Sequence, residues 1–103
     1  MKLINIENVD KNNEIWKYSN PSKLRQIANE KGFKNTEIFL SDKPTKKYMI
    51  FHNNKKIYFG QMGFEDYTKH NDELRRQRFL NRNKKWKTFD KFTPAYLSYH
   101  LLW

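Results

Sequence analysis

The chain has 103 residues and no cysteine, which leaves room for one small domain over residues 1–103 and excludes a multi-domain protein, a disulfide scaffold and a thiolate zinc site. Its 21 Lys and Arg outnumber its 11 Asp and Glu, so the net charge is +10 and the composition favours a polyanionic partner. Apolar runs are too short for a membrane span, and polar residues follow Met1 too closely for a signal peptide. We therefore expect a soluble protein that neither enters a membrane nor is secreted.

The first third of the chain predicts one strand and one helix. Leu3–Glu7 alternates apolar and polar residues, which is typical of an edge strand. Asn20 and Pro21 favour the cap and the first position of a helix, because Asn accepts from unpaired amides and Pro lacks one. With Gly32 as the stop signal, this helix is predicted to run from Pro21 to Lys31.

Three strands are predicted in the middle of the chain, at Thr36–Ser41, Lys47–His52 and Lys55–Phe59. The pair Asn53 and Asn54 has the turn chemistry of a two-residue hairpin loop, since Asn tolerates the left-handed backbone conformation. A hairpin over residues 47–59 is therefore the predicted centre of a small antiparallel sheet.

Counting outward from the Asn pair sets the register of this hairpin and the composition of its two faces. One face collects four apolar residues, Tyr48, Ile50, Ile57 and Phe59. The other face keeps Met49, Phe51 and Tyr58, which indicates either a second packed layer or a platform for stacking. Phe51 and Tyr58 are the candidate stacking residues.

The segment after the hairpin predicts a turn followed by a charged helix. Gly60–Gly63 is interpreted as a turn that brings Phe64 into the core. Asn71 then resembles a helix cap, with acidic residues after it at the positive end of the helix dipole. The helix is predicted to extend to about Asn83 or Trp86.

A second C-terminal helix is predicted over Ala95–Trp103, opened by Thr93 and Pro94 as cap and first residue. This helix is apolar on nearly every side. It must therefore be buried in the chain or bound to a partner.

The chemical feature that stands out is a stripe of three arginines. Arg75, Arg78 and Arg82 share one helical face over about 10 Å, and guanidinium groups suit a phosphate backbone because they stay charged and donate in pairs. Four further cations extend this track, namely Arg76, Lys84, Lys85 and Lys87. The alternatives are a solvated helix face partnered by acids such as Glu73, or a protein interface.

A weaker pattern is a cluster of titratable groups, Asp66, Tyr67, His70 and Asp72. An imidazole and a carboxylate at this spacing could share a divalent metal, as a nuclease would need beside arginines. Helix capping already explains part of the cluster, and no third ligand is evident. No metal, cofactor or catalytic residue is therefore predicted, and a metal-dependent nuclease remains the second alternative.

Seventeen residues are aromatic, whereas aliphatic residues are few. Side chains such as Trp16, Trp86, Trp103, Tyr96 and Tyr99 could stack on nucleic-acid bases. Because each large ring buries about 150–250 Å², we expect most of them to fill the core instead.

The second half of the chain carries a recognisable pattern of residues, namely Tyr58–Asp72, Arg75, Arg76, Phe79, Arg82, Trp86 and Thr93–Trp103. Through these residues the chain resembles, over about residues 46–103, a group of small basic proteins from large nucleocytoplasmic DNA viruses (giant viruses). The resemblance implies a viral origin and a place in the virion or inside the host cell, in the cytoplasm or nucleus. In that context two binding roles are expected: packaging or coating of the genome, and a minor structural role in the virion.

The sequence thus predicts a single α+β domain with an N-terminal helix, a small antiparallel sheet and two C-terminal helices. Its expected function is non-enzymatic binding of nucleic acid, DNA rather than RNA, through phosphate contacts. The first alternative is a minor capsid or virion protein that docks on a larger partner through Ala95–Trp103.

Overall fold

In a computed structural model, which describes residues 3–103, a three-stranded antiparallel sheet of order β1-β2-β3 packs against helices from both ends of the chain. The elements are α1 (Pro21–Glu30), β1 (Ile38–Leu40), β2 (Lys46–His52), β3 (Lys55–Gln61), α2 (Tyr67–His70), α3 (Glu73–Arg82) and α4 (Pro94–Leu97). The chain continues from α4 as a π-helical segment, Ser98–Leu102, and we call the two together the terminal helix. This architecture confirms the predicted α+β class.

The N-terminal helix forms as predicted, whereas the predicted edge strand does not. The Asn20 side chain accepts from the Lys23 amide at 3.1 Å, and α1 stops before Gly32, whose φ is +83°. The strand expected at Leu3–Glu7 is wrong, because only Asn5 pairs with β1, through a single bridge. The Asn5 side chain instead caps a short 3-10 helix, Ile6–Asn8. This local hydrogen bond competes with further strand pairing.

The hairpin has the predicted register, with Tyr48 opposite Phe59 and Ile50 opposite Ile57. Asn53 and Asn54 both have positive φ, at 51° and 63°, as a hairpin turn matched to strand twist requires. β3 extends beyond the prediction to Gln61. β1 is shorter than predicted, because a 3-10 turn over Asn35–Glu37 precedes it.

The core lies between the predicted apolar face of the hairpin, α1 and the terminal helix. Its buried members are Ile6, Ile15, Leu24, Ala28, Phe33, Ile38, Tyr48, Ile50, Phe59, Leu97, Leu101 and Leu102. Most of these are aliphatic, and further aromatic rings, among them Trp16, Phe92, Tyr96 and Trp103, pack around them partly buried. The aromatic residues therefore form mainly a layer around the core rather than its centre.

The terminal helix is buried in the chain's own core. Leu97, Leu101 and Leu102 are at most 1% exposed. Gly60 permits this packing, because a Cβ there would lie 2.8 Å from Leu102 Cδ1. The Gly60 amide also donates to the Ser98 hydroxyl at 3.3 Å. The three leucines of Ala95–Trp103 are thus not available to a partner.

A buried polar network connects the segment before α2 to the body of the fold. Lys47 Nζ and Asp66 Oδ2 form an ion pair at 3.0 Å, with both side chains about 2% exposed. Lys47 also donates to the Tyr18 carbonyl at 3.2 Å, and the Thr68 hydroxyl donates to the other Asp66 oxygen. Burial lowers the pKa of Lys47, against the opposing effect of the Asp66 carboxylate. The network fixes residues 66–68 in place.

Phe64 does not enter the core, so that prediction is wrong: its side chain is 68% exposed. Asp66, two residues further on, occupies the buried position instead because it pairs with Lys47. Within residues 3–103, no helix combines the length and the apolar character needed to cross a membrane.

Candidate nucleic-acid interface

The arginine-bearing helix α3 begins one residue later than predicted. Asn71 is left-handed, with φ +54°, and ends α2. The Asp72 side chain caps α3 by accepting from the Arg75 amide at 3.1 Å. The shift leaves the relative spacing of the arginines unchanged, because α3 is continuous from Glu73 to Arg82.

The three arginines of the predicted stripe lie on the protein surface. Arg75, Arg78 and Arg82 are all exposed, and no ion pair within residues 3–103 involves any of them. Their i, i+3, i+7 spacing on a regular helix places them on one face. No residue of α3 is buried, so the helix lies on the body rather than in it. We call these three residues the arginine stripe.

Arg76 differs from its neighbours, because its donors are already engaged within the chain. Its Nε donates to the main-chain oxygen of Trp103 at 2.7 Å, and Nη1 pairs with Glu73 at 3.1 Å. The guanidinium also lies 5.3 Å from the centre of the Tyr67 ring. Arg76 therefore attaches α3 to Trp103, the residue after the terminal helix, and we do not include it in the arginine stripe.

The predicted lysines follow α3 on a different element. The α-helix ends at Arg82 with Asn83 as its C-cap, which agrees with the first of the two predicted ends and not with Trp86, and a 3-10 helix, Lys84–Thr88, comes next. Lys84, Lys85 and Lys87 are all exposed there. The positive charge thus continues beyond the stripe, without the helical register of α3.

The predicted stacking residues are half-buried and already have partners. Phe51 packs edge-on against Phe39, with ring centres 5.4 Å apart. Tyr58 donates to Asp42 at 2.6 Å, and Lys43 Nζ lies 4.3 Å from the centre of its ring. The hydrogen bond with Asp42 raises the pKa of Tyr58. Both rings therefore contribute to contacts within the chain.

The sequence did not reveal an aromatic cleft beside α3. The cleft has a volume of about 200 Å³, and four aromatic side chains line it, Phe64, Phe79, Trp86 and Trp103. Phe79 of α3 stacks on Trp103 with ring centres 4.2 Å apart and planes 7° from parallel, and Trp86 meets it edge-on at 5.9 Å. Trp86 and Trp103 were among the rings that could stack on bases, but no sequence signal indicated that they come together, because the four rings belong to three separate parts of the chain.

The titratable residues considered as possible metal ligands are engaged in contacts within the chain. Asp66 pairs with Lys47, the Tyr67 hydroxyl donates to Glu73 at 3.1 Å, and His70 Nδ1 accepts from the Asp72 amide at 2.9 Å. In the described part of the chain, no group of three His, Cys, Asp or Glu side chains is arranged to hold a metal ion.

Residues 36–83 of this chain are similar to a family described as a family of unknown function (DUF5754). The matched segment contains the sheet, α2 and α3, and therefore the whole arginine stripe, but not the terminal helix. Neither the curated proteins nor the solved structures include a match to the chain.

Proposed function

We propose that this protein binds nucleic acid without catalysing a reaction, and that the arginine stripe holds the phosphate backbone. The observation that supports this most directly is the exposure of all three stripe arginines on a helix that buries none of its own residues. Lys84, Lys85 and Lys87 extend the positive surface beyond the helix.

The chemistry of the stripe is better explained by contact with phosphate than by a helix face that is only solvated. Guanidinium groups donate in pairs to phosphate oxygens, and each neutralised phosphate releases condensed counterions. Glu73, the acid expected to neutralise the face, pairs with Arg76 instead. The binding is expected to be largely independent of sequence and strongly dependent on salt.

The resemblance to small basic viral proteins favours packaging or coating of a DNA genome as the biological role. The alternative role, docking on a virion protein through Ala95–Trp103, has less support because the leucines of that segment are buried in this chain. A metal-dependent nuclease has no supporting arrangement of ligands within residues 3–103.

The proposal is tested by comparing two variants of equal net charge. One replaces the stripe, Arg75→Gln, Arg78→Gln and Arg82→Gln. The matched control replaces three exposed lysines elsewhere, Lys11→Gln, Lys23→Gln and Lys34→Gln. Binding to labelled DNA is measured by gel shift and fluorescence anisotropy across a salt series, and circular dichroism verifies the fold.

The stripe variant should bind more weakly, and the slope of log affinity against log salt should become shallower by about two to three. The expected change follows because each phosphate that an arginine no longer neutralises reduces the slope by roughly 0.7–0.9. The lysine control should change the slope much less. Equal reductions in both variants, or unchanged binding in the stripe variant, would contradict the proposed interface.

A further inference from the structure

We propose that the aromatic cleft beside α3 takes one unpaired nucleobase, so that the preferred ligand is a single strand whose phosphates lie along the arginine stripe. This inference rests on the proposed function and specifies its ligand. It depends on four properties of the cleft: the placement of Phe64, the construction of the opposite wall, the volume between them and the charges around them.

Phe64 is held in an exposed position by the structure on either side of it. Gly63 before it has a φ of +97°, which suits a sharp turn. After it, the Asp66 side chain is buried in its ion pair with Lys47, and the Asp66 amide donates to the Tyr18 carbonyl at 3.2 Å. Phe64 is the most exposed of the large apolar side chains in residues 3–103. Its ring therefore stands at the surface on an anchored segment.

The other aromatic residues of the cleft form a wall that is already assembled. Phe79 stacks on Trp103 and is met edge-on by Trp86, which orders all three rings. Phe64 takes part in none of the ring pairs found in the described chain, although it lines the same cleft. An exposed ring is thus available for stacking beside three rings that are fixed.

The volume of the cleft suits one flat ring. An apolar cavity of about 150 Å³ is enough to bind benzene, and this cleft measures about 200 Å³. Every nucleobase has a π-face that can stack on an aromatic side chain. A single base is therefore an occupant of matching size and chemistry.

Cations that adjoin the cleft residues in the sequence favour an occupant that belongs to a polyanion, whereas the lining of the cleft itself carries the Glu65 carboxylate and the ion-paired Lys47 and Asp66. Phe79 lies between Arg78 and Arg82 in the sequence of α3, and Trp86 follows Lys84 and Lys85 directly. All four cations are exposed, and none forms an ion pair within residues 3–103. We expect the phosphates that flank a bound base to contact these cations and to lie away from Glu65.

This arrangement favours a single strand over a duplex. A base paired inside a duplex must first be unstacked and unpaired, which costs a few kcal/mol, whereas a base in a single strand is already accessible. Arginine contacts alone would not discriminate between the two, because phosphates are present in both.

The experiment compares single-stranded DNA, single-stranded RNA and duplex DNA of equal length as ligands of the full chain. Phe64→Ala removes the exposed ring of the cleft, Phe64→Trp restores an aromatic surface, and Phe89→Ala removes another exposed ring, 46% exposed, that does not line the cleft. Affinity is measured by anisotropy, and stacking by quenching of the intrinsic tryptophan fluorescence.

We expect the intact protein to prefer single strands and its fluorescence to be quenched on binding them. Phe64→Ala should lower single-strand affinity about fivefold or more, as removal of one base stack implies, and leave duplex affinity unchanged. Phe64→Trp should restore the affinity, and Phe89→Ala should have no effect.

Two results would overturn the inference, and they differ in what they say about the proposed function. Equal binding of single strands and duplexes, with no effect of Phe64→Ala, would exclude base capture while leaving the arginine stripe as a backbone contact. Absence of binding to all three ligands would exclude nucleic-acid binding itself.

Discussion

The terminal helix and α3 differ in how each is held. The terminal helix buries Leu97, Leu101 and Leu102 almost completely, whereas α3 buries no residue and leaves Leu74 60% exposed. Apolar packing therefore holds the terminal helix in the fold. The contacts that hold α3 in place are its N-terminal cap, the Phe79–Trp103 stack and the hydrogen bond of Arg76. The comparison indicates that apolar burial is concentrated in the body of the fold, whereas α3 is exposed on its surface.

Breaking the buried ion pair of the body should have the largest effect on stability. Lys47→Met leaves the Asp66 carboxylate buried without its cation, which should lower the free energy of unfolding by about 3–5 kcal/mol. Lys55→Met, at an exposed position of the same sheet, should change it by less than about 0.5 kcal/mol. Urea denaturation measures both changes. If Lys47→Met lowers the free energy of unfolding by less than about 1 kcal/mol, the ion pair is not essential for stability.

The same substitution on the two helices tests the comparison directly. Leu101→Ala in the terminal helix should lower the free energy of unfolding by about 2–5 kcal/mol, because it removes buried methyl groups and leaves a cavity. Leu74→Ala in α3 should cost less than about 0.5 kcal/mol, since that side chain is already in contact with water. Similar decreases in thermal or urea denaturation would mean that α3 is as closely packed as the body.

The smallest expected effect is a pH dependence centred on the junction of α2 and α3. Burial lowers the pKa of His70, and the charge of Arg75 lowers it further, against the opposing effect of nearby carboxylates. Below the pKa of about 6.5 of an unfolded histidine, the unfolded chain therefore binds more protons than the folded one. Stability should be fully present above that pH and decrease as the pH falls towards the lowered pKa.

Protonation of His70 also removes an acceptor from the start of α3, because Nδ1 then no longer accepts from the Asp72 amide. Burial lowers the pKa of His100 as well, so it contributes in the same direction. Urea denaturation across the range from neutral pH to about one unit below the unfolded histidine pKa should show a shallower pH dependence in His70→Gln than in the intact protein. If the pH dependence of the free energy of unfolding is the same in His70→Gln as in the intact protein, it arises from other groups.

The hairpin shows what local patterns can predict. The Asn pair and the alternation of apolar residues constrain the register independently, and both give the pairing that the structure has. The cap and first residue of α1 are equally local, and so is the spacing of the arginine stripe. These features need only neighbours in the sequence, so one sequence was enough to predict them.

Phe64 shows where the local approach fails. Its apolar character predicted burial, but the buried position goes to Asp66, whose partner Lys47 lies 19 residues earlier on β2. Arg76 was predicted to extend the track of cations, yet the main-chain oxygen of Trp103, 27 residues later, accepts a hydrogen bond from its guanidinium. Pairings across such distances depend on the assembled fold and leave no local pattern.

The sequence by itself determined the α+β class, the hairpin register and the positive face of α3, because turn chemistry, strand alternation and helical spacing act between near neighbours. The tertiary structure alone decided that the terminal helix fills the core, that Phe64 is exposed and that three distant segments form an aromatic cleft. The physical reason is that burial and ion pairing are settled between residues far apart in the chain, which compete for the same limited interior.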